Sequence, residues 1–225
     1  MSDNTTAHRA SEYETEVKRT IPFHDEILAT AIHAALAMRD APPASWLDTG
    51  AGPGELVMKA RSASPSSRFF VGDPSRAMLD VARARLGLPD DRYFEVGSAD
   101  LPDIGPLDVV TAIQCHHYGD VAARERAVAR CRQLLAPRGV LVVFENVRAE
   151  TERGHAAQRA RWADWLRSRG RDEKAIEKQL AREGTAFFPI RVSEHLALLQ
   201  KLQFEDVELV WRAYGQAGFV ARRPP

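Results

Sequence analysis

Between residues 45 and 55 the chain passes from a short apolar run through an acid to three glycines at alternate positions: Leu47-Asp48-Thr49-Gly50-Ala51-Gly52-Pro53-Gly54. Glu55-Leu56-Val57-Met58 then opens a helix. Strand, glycine turn and helix in succession form the entry to a ligand crevice at the carboxyl end of a parallel strand. Glycines permit the tight bend and close approach of backbone to a ligand. Asp48 is an acceptor-only carboxylate when ionised, suited to a ligand rich in donors or positive charge. The spacing excludes two phosphate-binding loops. A dinucleotide fingerprint, G-x-G-x-x-G, needs a glycine where Glu55 stands, and G-x-x-x-x-G-K-[ST] has no match. An acid before the bend would also repel a pyrophosphate. The plain alternative is an ordinary glycine turn between strand and helix.

The rest of the chain supplies a sheet for this turn. Residues 1–10 are polar and expected to be loose. A mixed-charge helix over 11–19 contains Tyr13 and breaks at Thr20-Ile21-Pro22. Phe23, Ile27, Leu28, Ala31, Ile32, Ala35 and Met38 recur at helical spacing, which predicts a helix with one buried face. A second strand over 68–72 ends at Gly72-Asp73-Pro74-Ser75, and Ser75 caps a helix that stops at Gly87. Strands follow at 93–96, 107–114 and 140–144. A helix over 121–135 carries Val121, Val128, Cys131 and Leu135 on one face. This alternation predicts a parallel sheet covered on both sides. Residues 148–183 read as an insertion of two charged helices, interrupted at Gly170 and Gly184. A helix over 193–201 and an antiparallel hairpin over 204–221 close the sheet. The whole of 1–225 reads as one α/β domain.

Composition narrows the function. Apolar residues make up 44% and charged residues 28%, which suits a globular chain with a proper core. The formal charge is zero, which argues against a grip on a phosphate backbone. Cys115 and Cys131 form neither a disulfide framework nor a metal-spaced pair. No apolar run is long enough to span a bilayer, and the polar amino terminus has no signal-peptide core, so a cytoplasmic enzyme is expected.

Three further stretches face the same crevice. Asp73 lies 25 residues beyond Asp48, at the end of the second strand. An acid there can take hydrogen bonds from a ribose diol, or merely cap the next helix. Met78 on that helix packs against a base or joins the core. Gln114-Cys115-His116-His117-Tyr118 ends the fourth strand. Imidazole titrates near neutrality, so His116 or His117 can take a proton from an acceptor hydroxyl, amine or thiol; stacking or solvation is the alternative. No third ligand has zinc spacing, so no metal is expected. Glu145 and Asn146 end the fifth strand, where they orient a polar substrate or anchor a loop.

The G-x-G-x-G bend preceded by Asp48 resembles motif I of the class I S-adenosylmethionine (SAM) methyltransferases. In that family the loop wraps the methionine part of the cofactor, whose ammonium and sulfonium are cationic. Val96-Gly97-Ser98-Ala99-Asp100-Leu101-Pro102 resembles the family's Gly-Asp-Ala segment, whose Asp bonds the adenine amino group. Ser98 stands there, with Asp100 two residues on as the other candidate. Five landmarks fall in the family's order, the last being Pro137-Arg138-Gly139 before the fifth strand. The resemblance covers roughly 20–221. It implies a Rossmann-like sheet of seven strands with the last antiparallel, a two-helix insertion after the fifth strand, and SAM as cofactor. It assigns Asp48, Gly50, Gly52, Gly54, Asp73, Met78, Ser98, Ala99 and Gln114 to the cofactor. Tyr13 and Arg19, in an amino-terminal lid over 1–22, are expected to close over the cofactor's carboxylate.

Within that superfamily three stretches look like the branch that includes the carboxy-SAM synthase of tRNA wobble-uridine modification. They are Arg19-Thr20-Ile21-Pro22-Phe23, Val192-Ser193-Glu194-His195, and Glu208-Leu209-Val210-Trp211 through Gln216-Ala217-Gly218-Phe219. That enzyme needs an arginine on the late helix to hold its extra carboxylate; Leu198 stands at that place. The expectation is therefore methyl transfer to an O, N or S atom of a small molecule. The acceptor pocket is assigned to Tyr118, Glu145, Asn146, Trp211 and Tyr214, with Trp162 and Trp165 in core or subunit contact. The alternatives are a carboxy-SAM synthase or tRNA-modifying enzyme, and a non-catalytic SAM-binding protein. Residues 148–182 hold ten Lys/Arg against six Asp/Glu, which a solvated helix face explains without nucleic acid. The insertion helices are expected to serve a homodimer.

Overall fold

The computed structural model describes residues 9–225, so most of the stretch expected to be loose lies outside the described residues. Helix α1 (Tyr13–Thr20) carries Glu14 and Glu16 in its first turn and Lys18 and Arg19 in its last. That arrangement complements the helix dipole. Helix α2 (His24–Ala37) buries Ile27, Leu28, Ala31, Ile32 and Ala35, as the spacing predicts. Phe23 departs from the expectation. It precedes the helix in a left-handed conformation (φ 59°), is 39% exposed, and packs its ring towards Trp165, Trp211 and Tyr214 instead.

Strands β1 (Ser45–Thr49), β2 (Arg68–Gly72), β3 (Tyr93–Phe94), β4 (Leu107–Ile113) and β5 (Leu135–Arg148) lie parallel. The hairpin β7 (Glu205–Ala213) and β8 (Gln216–Arg222) closes the sheet, β8 running antiparallel to β5. The strand order is β3-β2-β1-β4-β5-β8-β7. This is the expected sheet with its reversed last strand. A short β6 (Ile190–Arg191) also pairs with β5; two residues carry no periodicity from which it could be read.

The sheet divides two apolar layers residue by residue. Trp46, Val109, Val140, Val142 and Phe144 join one core with α2, α3 (Glu55–Ala63) and α4 (Arg76–Leu86). Leu47, Val110, Leu141 and Val143 join the other with α5 (Val121–Leu134) and α8 (Val192–Lys201). Side chains alternate across a strand, so a strand buried on both faces must be apolar throughout. Val121 is 61% exposed rather than buried, because it stands at the first position of α5, directly after the Asp120 cap.

The insertion forms α6 (Glu152–Ser168) and α7 (Glu173–Leu180), capped by the side chains of Thr151 and Asp172. Trp162, Leu166, Ile176 and Phe187 make their own small core. The indole of Trp162 donates to the Thr20 carbonyl at 2.9 Å, which fastens the insertion to α1. Both therefore stand over the carboxyl ends of β1, β4 and β5.

Candidate active site

The glycine bend has the conformation its composition demands. Gly50 (φ 63°) and Gly52 (φ 54°) both occupy the left-handed region, which costs a residue with a Cβ roughly 1–2 kcal/mol. They serve different purposes. A Cβ on Gly50 would lie 2.3 Å from the Cys115 Cβ, so the bend is packed against β4. A Cβ on Gly52 would meet nothing closer than Tyr13 Cε1 at 3.9 Å and Met78 Sδ at 4.0 Å. The bare face of Gly52 therefore looks into open space, where a ligand can approach. Gly54, expected at the ligand, faces Leu86 across the α3–α4 contact.

Asp48 is buried and accepts a hydrogen bond from Thr111 Oγ1 at 2.7 Å. Burial pushes its carboxyl up to about 7, against the Thr111 bond that pulls it down. This qualifies the sequence reading of a plain carboxylate: a neighbouring cation is needed to hold Asp48 fully ionised at neutral pH. Asp73 combines the two roles weighed for it. Its Oδ2 accepts from the Gly52 N–H and its Oδ1 from the Ser75 N–H, both at 2.8 Å. Ser75 Oγ caps α4 by accepting from the Met78 N–H. Burial raises the Asp73 pKa and the two N–H groups oppose that. Asp73 thus pins the bend to β2 while still lining the cleft.

That cleft has a volume of about 250 Å³ and runs past Gly52, Asp73, Met78, Ser98, Ala99 and Asp100. Ser98 Oγ bridges Thr49 Oγ1 at 2.8 Å and His116 Nε2 at 3.0 Å. His116 Nδ1 is buried without a partner, and burial lowers the imidazole's pKa, so the ring is neutral. Two smaller clefts adjoin, each of about 40 Å³. One, under the insertion, is lined by His117, Tyr118, Asn146, Gln179, Arg182 and Phe187. The other lies on the far side of the bend, by His24, Asp48 and Glu55. Tyr13 and Gln114 line all three. Gln114 holds a positive φ of 57°, and both polar atoms of its buried amide lack partners among the described residues. A strained backbone with an unsatisfied amide at a junction of cavities marks a residue held for a ligand.

The loop after β4 is held by Glu145. Its Oε1 accepts from the His116 backbone N–H at 3.0 Å. Its Oε2 accepts from the His117 backbone N–H at 2.7 Å and from His117 Nδ1 at 2.8 Å. Burial alone would raise this carboxyl; the His117 contacts outweigh it and hold it down at about 2. With the Nδ1 proton on the Glu145 side, His117 Nε2 is an acceptor and takes a bond from Asn146 Nδ2 at 3.2 Å. Asn146 Oδ1 in turn accepts from Gln216 Nε2 at 3.2 Å.

Four expectations are corrected by this geometry. Glu145 is 0% exposed and anchors the loop from beneath instead of meeting substrate. Arg19 turns away from the cleft, to Glu16 and the Arg169 carbonyl, because α1 presents it to the insertion. Trp211 and Tyr214 gather with Phe23 against Trp165 of α6, and Tyr214 lies under the Arg161 guanidinium. Neither lines the three clefts around the bend; Tyr214 lines a separate groove with Phe23, Gln158 and Arg161. The spacing argument against a metal also missed that Cys115, His116 and Glu145 meet within 4.8 Å, since Glu145 arrives from β5. His24, Glu55, Gln179 and Arg182 were not singled out from sequence. They read there as ordinary helix residues, and only the packing of α2, α3, α7 and the turn after α7 brings them to the clefts.

Residues 47–141 match the family described as a methyltransferase domain. A carboxy-S-adenosyl-L-methionine synthase of Wolinella succinogenes is 26% identical over 222 residues, covering 95% of this chain and 90% of that protein. The structure of human N-acetylserotonin methyltransferase in complex with SAM matches with a TM-score of 0.61 at 16% identity, covering 96% of this chain but 59% of that one. So this chain spans less than two thirds of that structure's length. The 1,6-didemethyltoxoflavin-N1-methyltransferase of Burkholderia thailandensis, with S-adenosylhomocysteine bound, matches with a TM-score of 0.62 at 16% identity, covering 96% and 85%. The fold is that of the class I SAM-dependent methyltransferases, a family whose cofactor is SAM. The site suits it: the open face of Gly52, the unpartnered Gln114 amide and the carboxylates of Asp48 and Asp73 form an acceptor-rich cradle for a cationic nucleoside.

Proposed function

Taking the chain as a class I SAM-dependent methyltransferase, we propose that it moves the sulfonium methyl to an O, N or S atom of a small-molecule acceptor. The observation that carries this reading is the junction at Tyr13 and Gln114. The larger cleft suits adenosine, with Asp73 at the ribose and Ser98, Ala99 and Asp100 along the base. The cleft under the insertion suits the acceptor. The two meet only across Tyr13, Gln114 and Tyr118. SAM supplies an electrophilic methyl on a positively charged sulfur. The chain's own task is to align an acceptor atom and exclude water, which is worth up to about 7–11 kcal/mol in favourable cases.

Of the two histidines, His116 belongs to the cofactor side through Ser98, and His117 lines the acceptor cleft. His117 is the proton acceptor of this reading. Glu145 fixes its tautomer and Asn146 covers Nε2 until an acceptor displaces the amide. General-base help of this kind is worth roughly 10²–10⁴-fold. Tyr118 is pushed up to about 12 by burial, so its hydroxyl stays protonated and donates.

The test is calorimetric binding of SAM and S-adenosylhomocysteine, followed by a methyl-acceptor panel read by mass spectrometry. Gln114→Ala should cut turnover at least tenfold while weakening cofactor binding less. Bound cofactor with no turnover on any acceptor would favour the non-catalytic alternative. The relatives named carboxy-SAM synthase support a second reading. Against it, Leu198 packs towards the core beneath α8 and brings no positive charge. Incubation with SAM and prephenate, and the appearance of carboxy-SAM, would decide for it.

A further inference from the structure

A cavity of about 20 Å³ lies between the insertion and the β5–β8 pair, with Asn146, His155, Glu183, Phe187 and Gln216 on its wall. It adjoins the acceptor cleft, since Asn146 and Phe187 line both. Two of its side chains carry buried polar atoms with no partner among the described residues, Gln216 Oε1 and His155 Nδ1. Gln216 is 2% exposed and His155 9%. Buried polar atoms are seldom left unpaired, so each of these calls for a partner.

Both atoms end a row of hydrogen bonds. Asn146 and Gln216 stand opposite each other in the β5–β8 register, which brings their amides together. Gln216 Nε2 donates to Asn146 Oδ1 and Asn146 Nδ2 to His117 Nε2, each at 3.2 Å, and His117 Nδ1 donates to Glu145 Oε2 at 2.8 Å. An amide has one donor end and one acceptor end. Every bond in the row therefore runs one way, and Gln216 fixes which end of Asn146 meets the imidazole. With the Asn146 amide reversed, Oδ1 would face His117 Nε2, which would then need a proton of its own. The row ends at Gln216 Oε1, an acceptor. On the insertion, His155 Nε2 lies 2.8 Å from Glu183 Oε1. With that proton on Nε2, His155 Nδ1 is an acceptor too. Arg159 Nη1 meets Glu183 Oε2 at 2.6 Å, so the wall holds a balanced ion pair and offers no excess charge for an ion. Two acceptors need a molecule with two donors, and about 20 Å³ admits one water.

We infer that Gln216 is a positioning residue for His117, and that one water in this cavity donates to Gln216 Oε1 and His155 Nδ1 at once. The water joins the row on the sheet to the ion pair on the insertion. The direction of the Asn146 amide, and with it the unprotonated Nε2 of His117, then depends on the insertion being docked. The base is thereby set only where the insertion covers the acceptor cleft. The inference rests on the reading of His117 as the proton acceptor of methyl transfer.

The test reads the ring nitrogens of His117 by long-range proton–nitrogen NMR on the whole protein, its signals identified by their loss in His117→Phe. It needs no acceptor. Wild type should show Nδ1 protonated and Nε2 bare. Gln216→Met keeps the length of the side chain and removes both amide atoms. Asn146 should then take both orientations, and the Nε2 signal should move towards the protonated position. His155→Phe, whose ring fills the water's place, should move it the same way by less, and gives the reading should Gln216→Met unfold. A crystal structure of the wild type should show one water within about 3.2 Å of both acceptors. A His117 signal in Gln216→Met identical to wild type would overturn the positioning role. A wild-type cavity without water, or an Nε2 signal unmoved in His155→Phe, would overturn the link to the insertion. Signals that shift as expected in a protein that methylates no acceptor would support the row and refute the methyl-transfer reading alone.

Discussion

Replacing Glu145 by Gln should loosen the loop that holds both histidines. The carboxylate takes three N–H donors into a site with no solvent exposure. In the amide, the carbonyl oxygen can keep the two His117 bonds, but the NH₂ then faces the His116 N–H, donor against donor. One buried N–H left unsatisfied costs about 1–3 kcal/mol, and two bonds lose their charge assistance, about 1 kcal/mol each. The total is about 3–5 kcal/mol. Independently, a carboxyl held at about 2 instead of 4.5 carries about 3–4 kcal/mol at about 1.4 kcal/mol per pH unit. A chain of this size should lose roughly 10 °C of Tm, at about 2–4 °C per kcal/mol.

The pH dependence is specific. Glu145 is depressed in the folded state, so its contribution is complete above 4.5 and is lost as pH falls towards 2. The stability gap between wild type and Glu145→Gln, measured by urea unfolding, should be flat from neutral pH to 5 and narrow below. Cofactor affinity should fall with the variant, since the loop supplies Gln114. A Tm within about 2 °C of wild type, or a gap that does not narrow in acid, would refute the anchoring role.

The sign is opposite for Asp48. Its folded value is raised from 3.8 to about 7, so the free protein loses that contribution as pH rises from 3.8 through 7. A cation beside it reverses the cost, so SAM affinity should tighten about tenfold between pH 6 and 8 as the carboxylate ionises, with a shallower slope in Asp48→Asn; a flat calorimetric profile would exclude Asp48 from the cation's surroundings. Gly52→Ala should fold, losing about 1–2 kcal/mol to its left-handed backbone, yet abolish S-adenosylhomocysteine binding, because its methyl enters the cleft. Gly50→Ala should instead destabilise the protein outright through its clash with Cys115, and equal Tm losses for the two variants would contradict the division of roles drawn between them.

The alternation of apolar strands and amphipathic helices, with the Asp48–Gly54 bend at its head, determined the α/β sheet, its reversed last strand and the class of cofactor. Those properties are local: periodicity, turn chemistry and motif spacing operate within a few residues. That Gly50, Gly52, Asp73 and Ser98 gather around one cleft was legible for that reason. The corrected residues share a different cause. Glu145 could not be read as an anchor because its three donors come from another strand's loop. Arg19, Trp211 and Tyr214 depend on how α1, the insertion and the hairpin rotate against one another. His24 and Glu55 lie 31 positions apart in the chain and face each other only because two helices start side by side. Which acceptors are left unpaired in a buried space is a sum over all neighbours, so tertiary packing alone decided it.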